Sequence, residues 1–350
     1  MKILQISTQV FEVPPRGYGG LEGCVFDLAV ELLKLGHQVS IVAPKGSNVP
    51  GAEMIMPCDP SPSNPEGAAY EAYKGRLLEF DIIHNHSWSA HAYLAKMEFP
   101  ALRVIDTIHS MQPWSSAPPV KYPCLVGASK YHAQLLSGIY GVHVEVVYHG
   151  INLETYMPKT TPPPIADRKY LLYVARIASM KGAHEFVNLC HKLKMPGLVV
   201  GEDKFVDDQK YVRRVMDSCD GKRVQYLGPV PRGSEQMVEL MQNAKAVIAP
   251  LLPPYGEIFG LSTIETMAAG TPFISTDCGA AKELIIEGKT GFVVPSVNEL
   301  EGAVAKLDTI NPVDCMVGAR GAVGGISFDR ARMAKDYVAL YEKMLHGEMW

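Results

Sequence analysis

AVIAPLLPPYGEIFGLSTIETMAAGTPFIST, residues 246–276, carries a complete strand, loop, helix, strand unit. AVIAP is an apolar run of strand length, Gly260 opens a helical segment that closes at Gly270, and PFIST resumes an apolar strand. A helix crossing between two strands makes them parallel neighbours. Glu257 falls in the loop and Glu265 inside the helix, with seven residues between them. In a doubly wound sheet the loop that leaves the C-terminal end of a strand borders the binding crevice. The helix starting near Leu261 then aims its N-terminal amides and the positive end of its dipole into that crevice, a setting suited to a diphosphate. Gly260 allows close approach of the backbone. Carboxylates beside such a site are poor partners for the anion but good acceptors for hydroxyls. On spacing alone, a solvated helix-face acid at Glu265 and a plain loop acid at Glu257 fit equally well.

The same alternation extends in both directions. Strands at YLLYVAR, GLVVGE, VQYLGPV and GFVVP flank the quoted unit from Tyr170 onward, with helical segments between them. Upstream, Lys2–Ser7, a helix bearing Leu21, Val25, Leu28, Ala29, Leu32 and Leu33, and Gln38–Ala43 make another such unit, with Gly36 as the helix stop. Further strands are predicted near 81–85, 102–108, 123–127 and 144–148, and helices over 66–80 and 129–139. Alternating strands and helices mean α/β domains with covered parallel sheets. Pro162, Pro163 and Pro164, within MPKTTPPPIAD, forbid helix and central strand and place a boundary there. The expected division is 1–160, 161–327, and a terminal helix over 328–350 packing back toward the first domain. That helix carries Met333, Tyr337, Leu340, Tyr341 and Met344 on one side.

Length and composition agree. At ~150 residues per domain, 350 residues make about two domains, and 47% hydrophobic content excludes a disordered chain. A net charge of -4 offers no basic field for nucleic acid or an anionic bilayer. No apolar run reaches the length of about 18 residues that a membrane span needs, MKILQIS is too short for a secretory core, and a soluble cytoplasmic protein is expected. The seven cysteines are scattered, never as CxxC, and fit a reducing compartment.

Arg176 and Lys181, in YVARIASMKG, follow the first strand of the second half and can neutralise a diphosphate and stabilise it as a leaving group. PPRGYGGLEG places Gly17, Gly19, Gly20 and Gly23 before the first helix, one residue wide of GxGxxG, and no acid closes the second strand, so a plain dinucleotide domain is disfavoured. Eight of the 11 histidines fall in the first 150 residues, a weak hint of polar substrate chemistry there. His84 and His86 read better as a polar strand end than as metal ligands, for want of a third ligand, and no DxD occurs. Trp88 and Trp114 read as aromatic covers of the core rather than sugar platforms.

These motifs together resemble the retaining GT-B glycosyltransferases of family 4, also called glycosyl transferases group 1, over nearly the whole chain. The family's paired glutamates and small-residue helix stand here as Glu257, Phe259, Gly260, Leu261, Glu265, Ala268, Ala269, Gly270, Thr271 and Pro272. Its cation pair stands as Arg176 and Lys181, and its later glycine, acid, glycine pattern as Gly279, Glu283, Gly288 and Gly291. Two positions depart from the pattern: His149 replaces an asparagine, and Ser262 replaces a proline.

The resemblance implies two Rossmann-like domains facing each other across a cleft, the first for the acceptor and the second for the nucleotide sugar. It implies that Glu257 holds hydroxyls of the donor sugar and Glu265 the ribose. Arg176 and Lys181 would bind the diphosphate, with the amides of Gly19, Gly20, Phe259, Gly260 and Leu261. Val230 would meet the base through its backbone, and His109 would lie beside the donor sugar, although a satisfied structural histidine is a competing reading. The implied activity is hexosyl transfer from a nucleotide diphosphate sugar, a UDP-sugar first, to a hydroxyl-bearing acceptor that is a sugar, a small molecule or lipid-linked. Retention of configuration, no metal and no cofactor are expected, with no nucleic-acid partner and room for peripheral membrane contact through an apolar loop. A GT-B nucleotide-sugar epimerase and a noncatalytic nucleotide-sugar-binding protein are the alternatives.

Overall fold

The computed structural model describes residues 1–111, 120–121, 123–204, 206, 208–322 and 325–350. The chain divides into two compact units, Met1–Gly150 with Arg330–Trp350, and Ile151–Asp329.

The first unit is built on β1 (Lys2–Ile6), β2 (Gln38–Val42), β3 (Glu53–Ile55), β4 (Ile82–Asn85), β5 (Val104–Thr107), β6 (Leu125–Gly127) and β7 (Val144–Val146). All are parallel, in the order β3-β2-β1-β4-β5-β6-β7. Both faces are covered, which is why the central strands read as continuous apolar runs. Helices Gly20–Lys34 and Arg330–Leu345 cover one face, with Val25, Leu28, Leu32, Tyr337, Leu340 and Tyr341 buried against Ile3, Ile41 and Ile105. Glu66–Tyr73, His91–Glu98 and Lys130–Tyr140 cover the other. The helix predicted over 66–80 is α-helical only to Tyr73 and tightens to a 3-10 turn over Lys74–Glu79, where Gly75 weakens the α-helical state.

Arg330 enters its helix by bonding Asp27 Oδ1 at 3.0 Å and Glu31 Oε1 at 2.9 Å, two carboxylates one turn apart on Gly20–Lys34. All five methionine, leucine and tyrosine positions assigned to one side of Arg330–Leu345 are buried.

The second unit holds β8 (Leu171–Val174), β9 (Gly197–Val200), β10 (Val224–Gly228), β11 (Ala246–Ala249), β12 (Phe273–Thr276) and β13 (Gly291–Val294). These are parallel in the order β10-β9-β8-β11-β12-β13. Strand order reverses between β8 and β11, and between β1 and β4 in the first unit; such switch points are where doubly wound sheets bind ligands. The proline run is secured to this unit. Arg168 is buried and donates to the Pro163 carbonyl at 3.2 and 3.1 Å, to the Ala244 carbonyl at 3.0 Å and to the Gly270 carbonyl at 2.9 Å. The contact division thus falls at 150/151 and 329/330, where the sequence reading placed 160/161 and 327/328.

Among the described residues no helix is long and apolar enough to cross a membrane. Trp88 is exposed rather than a cover for the core, and Trp114 lies outside the described residues.

Candidate active site

The switch point of the second unit is where most of the singled-out residues gather. Arg176 follows β8, its carbonyl accepting from Tyr173 Oη at 3.0 Å. A 3-10 turn over Ser179–Lys181 then ends at Gly182, whose φ of 71° is the left-handed region and whose missing Cβ leaves space for the Pro250 carbonyl. That close approach and the Leu252 N–H donating to the Met180 carbonyl at 2.9 Å join the β8 loop to the β11 loop.

Lys181, 9% exposed, is consequently directed at the β11 loop. Its Nζ donates to Tyr255 Oη at 2.6 Å, forms an ion pair with Glu257 Oε2, and lies 4.4 Å from the Tyr255 ring centroid. Tyr255 Oη in turn donates to Glu257 Oε1 at 3.2 Å. One ammonium, one phenol and one carboxylate therefore form a closed triangle. Tyr255 was not singled out from sequence; it stands two residues before Glu257 with no spacing rule to mark it.

Glu257 is held from behind as well. Its carbonyl accepts from the Ala280 N–H at 2.8 Å, and Gly279, at φ 69°, packs against its main chain so closely that a Cβ there would run into it. Gly279→Ala is expected to cost about 1–3 kcal/mol through the strained backbone and to move Glu257. Thermal melting combined with turnover checks this; unchanged values for both would show the loop tolerates the side chain.

Gly260, at φ 93° and ψ 75°, is the N-cap of Leu261–Ala268; the Thr263 N–H donates to its carbonyl at 3.0 Å, and no side chain caps the Leu261 and Ser262 amides. Phe259 is buried and meets Phe328 edge-on at 6.0 Å. Its side chain serves the core, and only its backbone suits a donor site. Glu265 is buried and pairs with Nε of Arg232, in the loop after β10; Val230 is half-buried in that same loop. Arg232 escaped the sequence reading because nothing local ties it to Glu265, 33 positions away.

Gly19, Gly20 and His109 belong to the first unit. Gly19, at φ 154°, is the N-cap of Gly20–Lys34, and a side chain there would collide with Pro15. His109, half-buried just past β5, bonds His86 through Nε2 and Nδ1 at 3.0 Å and stacks on His149 with 5.2 Å between centroids and 10° between planes. Burial, and then His132, push its pKa down to about 3, so it is neutral at pH 7. His86, first weighed against a metal role, is thus a direct neighbour of His109. Among the described residues no group of three or more metal-binding side chains assembles.

Known proteins match both halves. The family described as glycosyl transferases group 1 matches residues 168–309, and the one described as glycosyltransferase family 4 matches residues 18–155. A glycogen synthase of Mycobacterium tuberculosis is 24% identical over 399 residues, covering 96% of this chain and 91% of its own. The solved sucrose-phosphate synthase of Thermosynechococcus elongatus superposes with a TM-score of 0.78 at 20% identity, covering 99% of this chain and 100% of that one. Anabaena Alr3699/HepE, solved with UDP-glucose, gives 0.73 at 17% identity and covers 98% and 100%. The molecule is a glycosyltransferase of GT-B fold, two parallel-sheet Rossmann-like units. It belongs to the group 1 glycosyltransferases of the family 4 type.

Proposed function

We propose that the chain transfers a hexose from a nucleotide diphosphate sugar, a UDP-sugar first, to a hydroxyl acceptor with retention of configuration and without a metal. The observation that carries this reading is the triangle of Lys181, Tyr255 and Glu257 beside the open amides at Gly260. It sets a fixed cation next to a fixed hydroxyl acceptor at the sheet's switch point.

In this scheme the bond from the anomeric carbon to the diphosphate oxygen breaks and the acceptor oxygen bonds to the same face of that carbon. The acceptor's proton passes to a phosphate oxygen, so no protein nucleophile is needed. Lys181, Arg176 and the amides of 259–261 stabilise the negative charge that grows on the diphosphate. Glu257 accepts from sugar hydroxyls, Glu265 from the ribose, and the backbone of Val230 meets the base. To the first unit the family resemblance assigns the Gly19 and Gly20 amides for phosphate and His109 for the donor sugar. The neighbour solved with UDP-glucose supports the choice of base. We place the activity in the cytoplasm, in line with the scattered, uncoupled thiols.

Thermal melting with UDP, GDP and ADP at equal concentration tests the donor class. At about a hundred times its dissociation constant the cognate nucleotide adds roughly 2.7 kcal/mol, enough to raise the transition by several degrees. UDP is expected to stand out, and product analysis with UDP-sugars plus chelator is expected to show undiminished transfer. A stronger response to GDP or ADP replaces the base; a response to none, or a strict metal requirement, defeats the reading.

A further inference from the structure

The first unit contains a row of imidazoles at the C-terminal ends of β4 and β5. His84 is pinned at both nitrogens, Nδ1 to Tyr341 Oη at 2.6 Å and Nε2 to Thr107 Oγ1 at 2.7 Å, and Thr107 Oγ1 also bonds Tyr337 Oη at 2.8 Å. Its ring lies 3.9 Å from that of His86, centroid to centroid, and covers one side of it. His86 then meets His109 through Nδ1 and Nε2 at 3.0 Å. The other nitrogen of His86, Nε2, is buried with no hydrogen-bond partner among the described residues.

Proton counting decides what this contact means. Burial holds both rings neutral, so each carries one proton and their shared line holds one N–H and one lone pair. If His109 Nε2 were the donor, the proton of His86 would sit on Nε2, a buried N–H with nothing to bond. Buried orphan donors are rarer than under-satisfied acceptors, because an unmade N–H bond forfeits its hydration with no return. The alternative puts the His86 proton on Nδ1, where it donates to His109 Nε2 and leaves only a lone pair unmatched.

We infer that His86 is a positioning residue that locks His109 in the tautomer protonated on Nδ1, so that His109 presents a hydrogen-bond donor, not a base, beyond the end of β5. The use of that donor on the sugar rests on the proposed function; the tautomer does not. His109 then serves oxygen acceptors on substrate and takes no proton during the reaction. The groups that face the pair and share its titration are His84, His132 and His149, with the Tyr337 and Tyr341 hydroxyls behind His84.

Long-range proton–nitrogen correlation spectra of the histidine-labelled full chain, without substrate, read the tautomer directly. His109 is assigned by its disappearance in His109→Gln. The wild type is expected to show the proton on Nδ1. His86→Asn keeps an N–H near the position of Nδ1 and is expected to keep that tautomer. His86→Asp offers only acceptors and is expected to move the proton to Nε2. A wild-type spectrum with His109 protonated on Nε2, or an aspartate variant that still shows Nδ1–H, overturns the inference, and the wild-type spectrum suffices should the aspartate variant fail to fold. Turnover is then a separate readout. At least a tenfold loss in His86→Asp with near-normal rates in His86→Asn extends the inference to catalysis, whereas equal rates with the tautomer inverted refute the role of His109 in transfer and leave the tautomer standing.

Discussion

Lys181→Met is expected to lower kcat/KM for transfer by about 10²–10³, the loss that follows removal of one preorganised donor from developing negative charge. Methionine keeps most of the length and apolar stem of lysine, so the turn over Ser179–Lys181 and the approach of Gly182 to Pro250 stay in place. What disappears is the ammonium that bonds Tyr255 and pairs with Glu257. Its role in the proposed reaction differs from its role in the free protein. Unliganded, it neutralises a carboxylate that is itself partly shielded from water. In the proposed reaction it shares its charge with the diphosphate of the bound donor, and that share grows as the leaving group departs. The fall should therefore be concentrated in kcat rather than in the donor KM. Steady-state kinetics with melting as the control checks this; a variant that melts normally and turns over within threefold of wild type would remove Lys181 from the mechanism.

Arg330→Met acts on stability and leaves the residues proposed to hold the donor untouched. The guanidinium, 15% exposed, joins Asp27 and Glu31, whose side chains are 10% and 9% exposed. Removing one member of a buried ionic cluster typically costs 3–5 kcal/mol because the remaining charges stay desolvated. Lys34 still reaches Glu31 Oε1 at 2.7 Å, which puts the expected loss near the low end, about 3 kcal/mol. The loss should appear in the first unit alone, as faster hydrogen exchange in Gly20–Lys34 and Arg330–Leu345 with the second sheet unchanged. Retained protection in both helices would show that apolar packing holds this helix pair by itself.

How far the molecule can be read from its sequence differs between backbone and site. Every strand of four or more residues was legible, the inner ones because burial on both faces leaves a continuous apolar run such as LLYV or AVIA. β3 was not. It is an edge strand of three residues, none of them fully buried, and carries no pattern to detect. Lys181 and Glu257 could be picked by residue type and by their place after strands that flank a switch point. That they pair directly and share Tyr255 depends on how Gly182 and Gly279 bring three loops together, and no local rule encodes a distance between loops. Arg232 and His86 follow the same logic. Each acts on a residue that the motifs do reveal, but through a contact between separate strands or loops.

The return of Arg330–Leu345 to the first sheet also fixes an order of events during synthesis. Domains made early on the ribosome ordinarily fold first. Here residues 1–150 emerge with one face of their sheet missing a helix, so Tyr337, Leu340 and Tyr341 are still unmade when Ile3, Ile41 and Ile105 are already exposed. Ile151–Asp329 is a continuous segment and can close its own sheet before that helix leaves the tunnel. The half translated first is therefore the half completed last, and the nascent chain must keep an apolar sheet face out of harmful contacts for the time it takes to make an entire second unit.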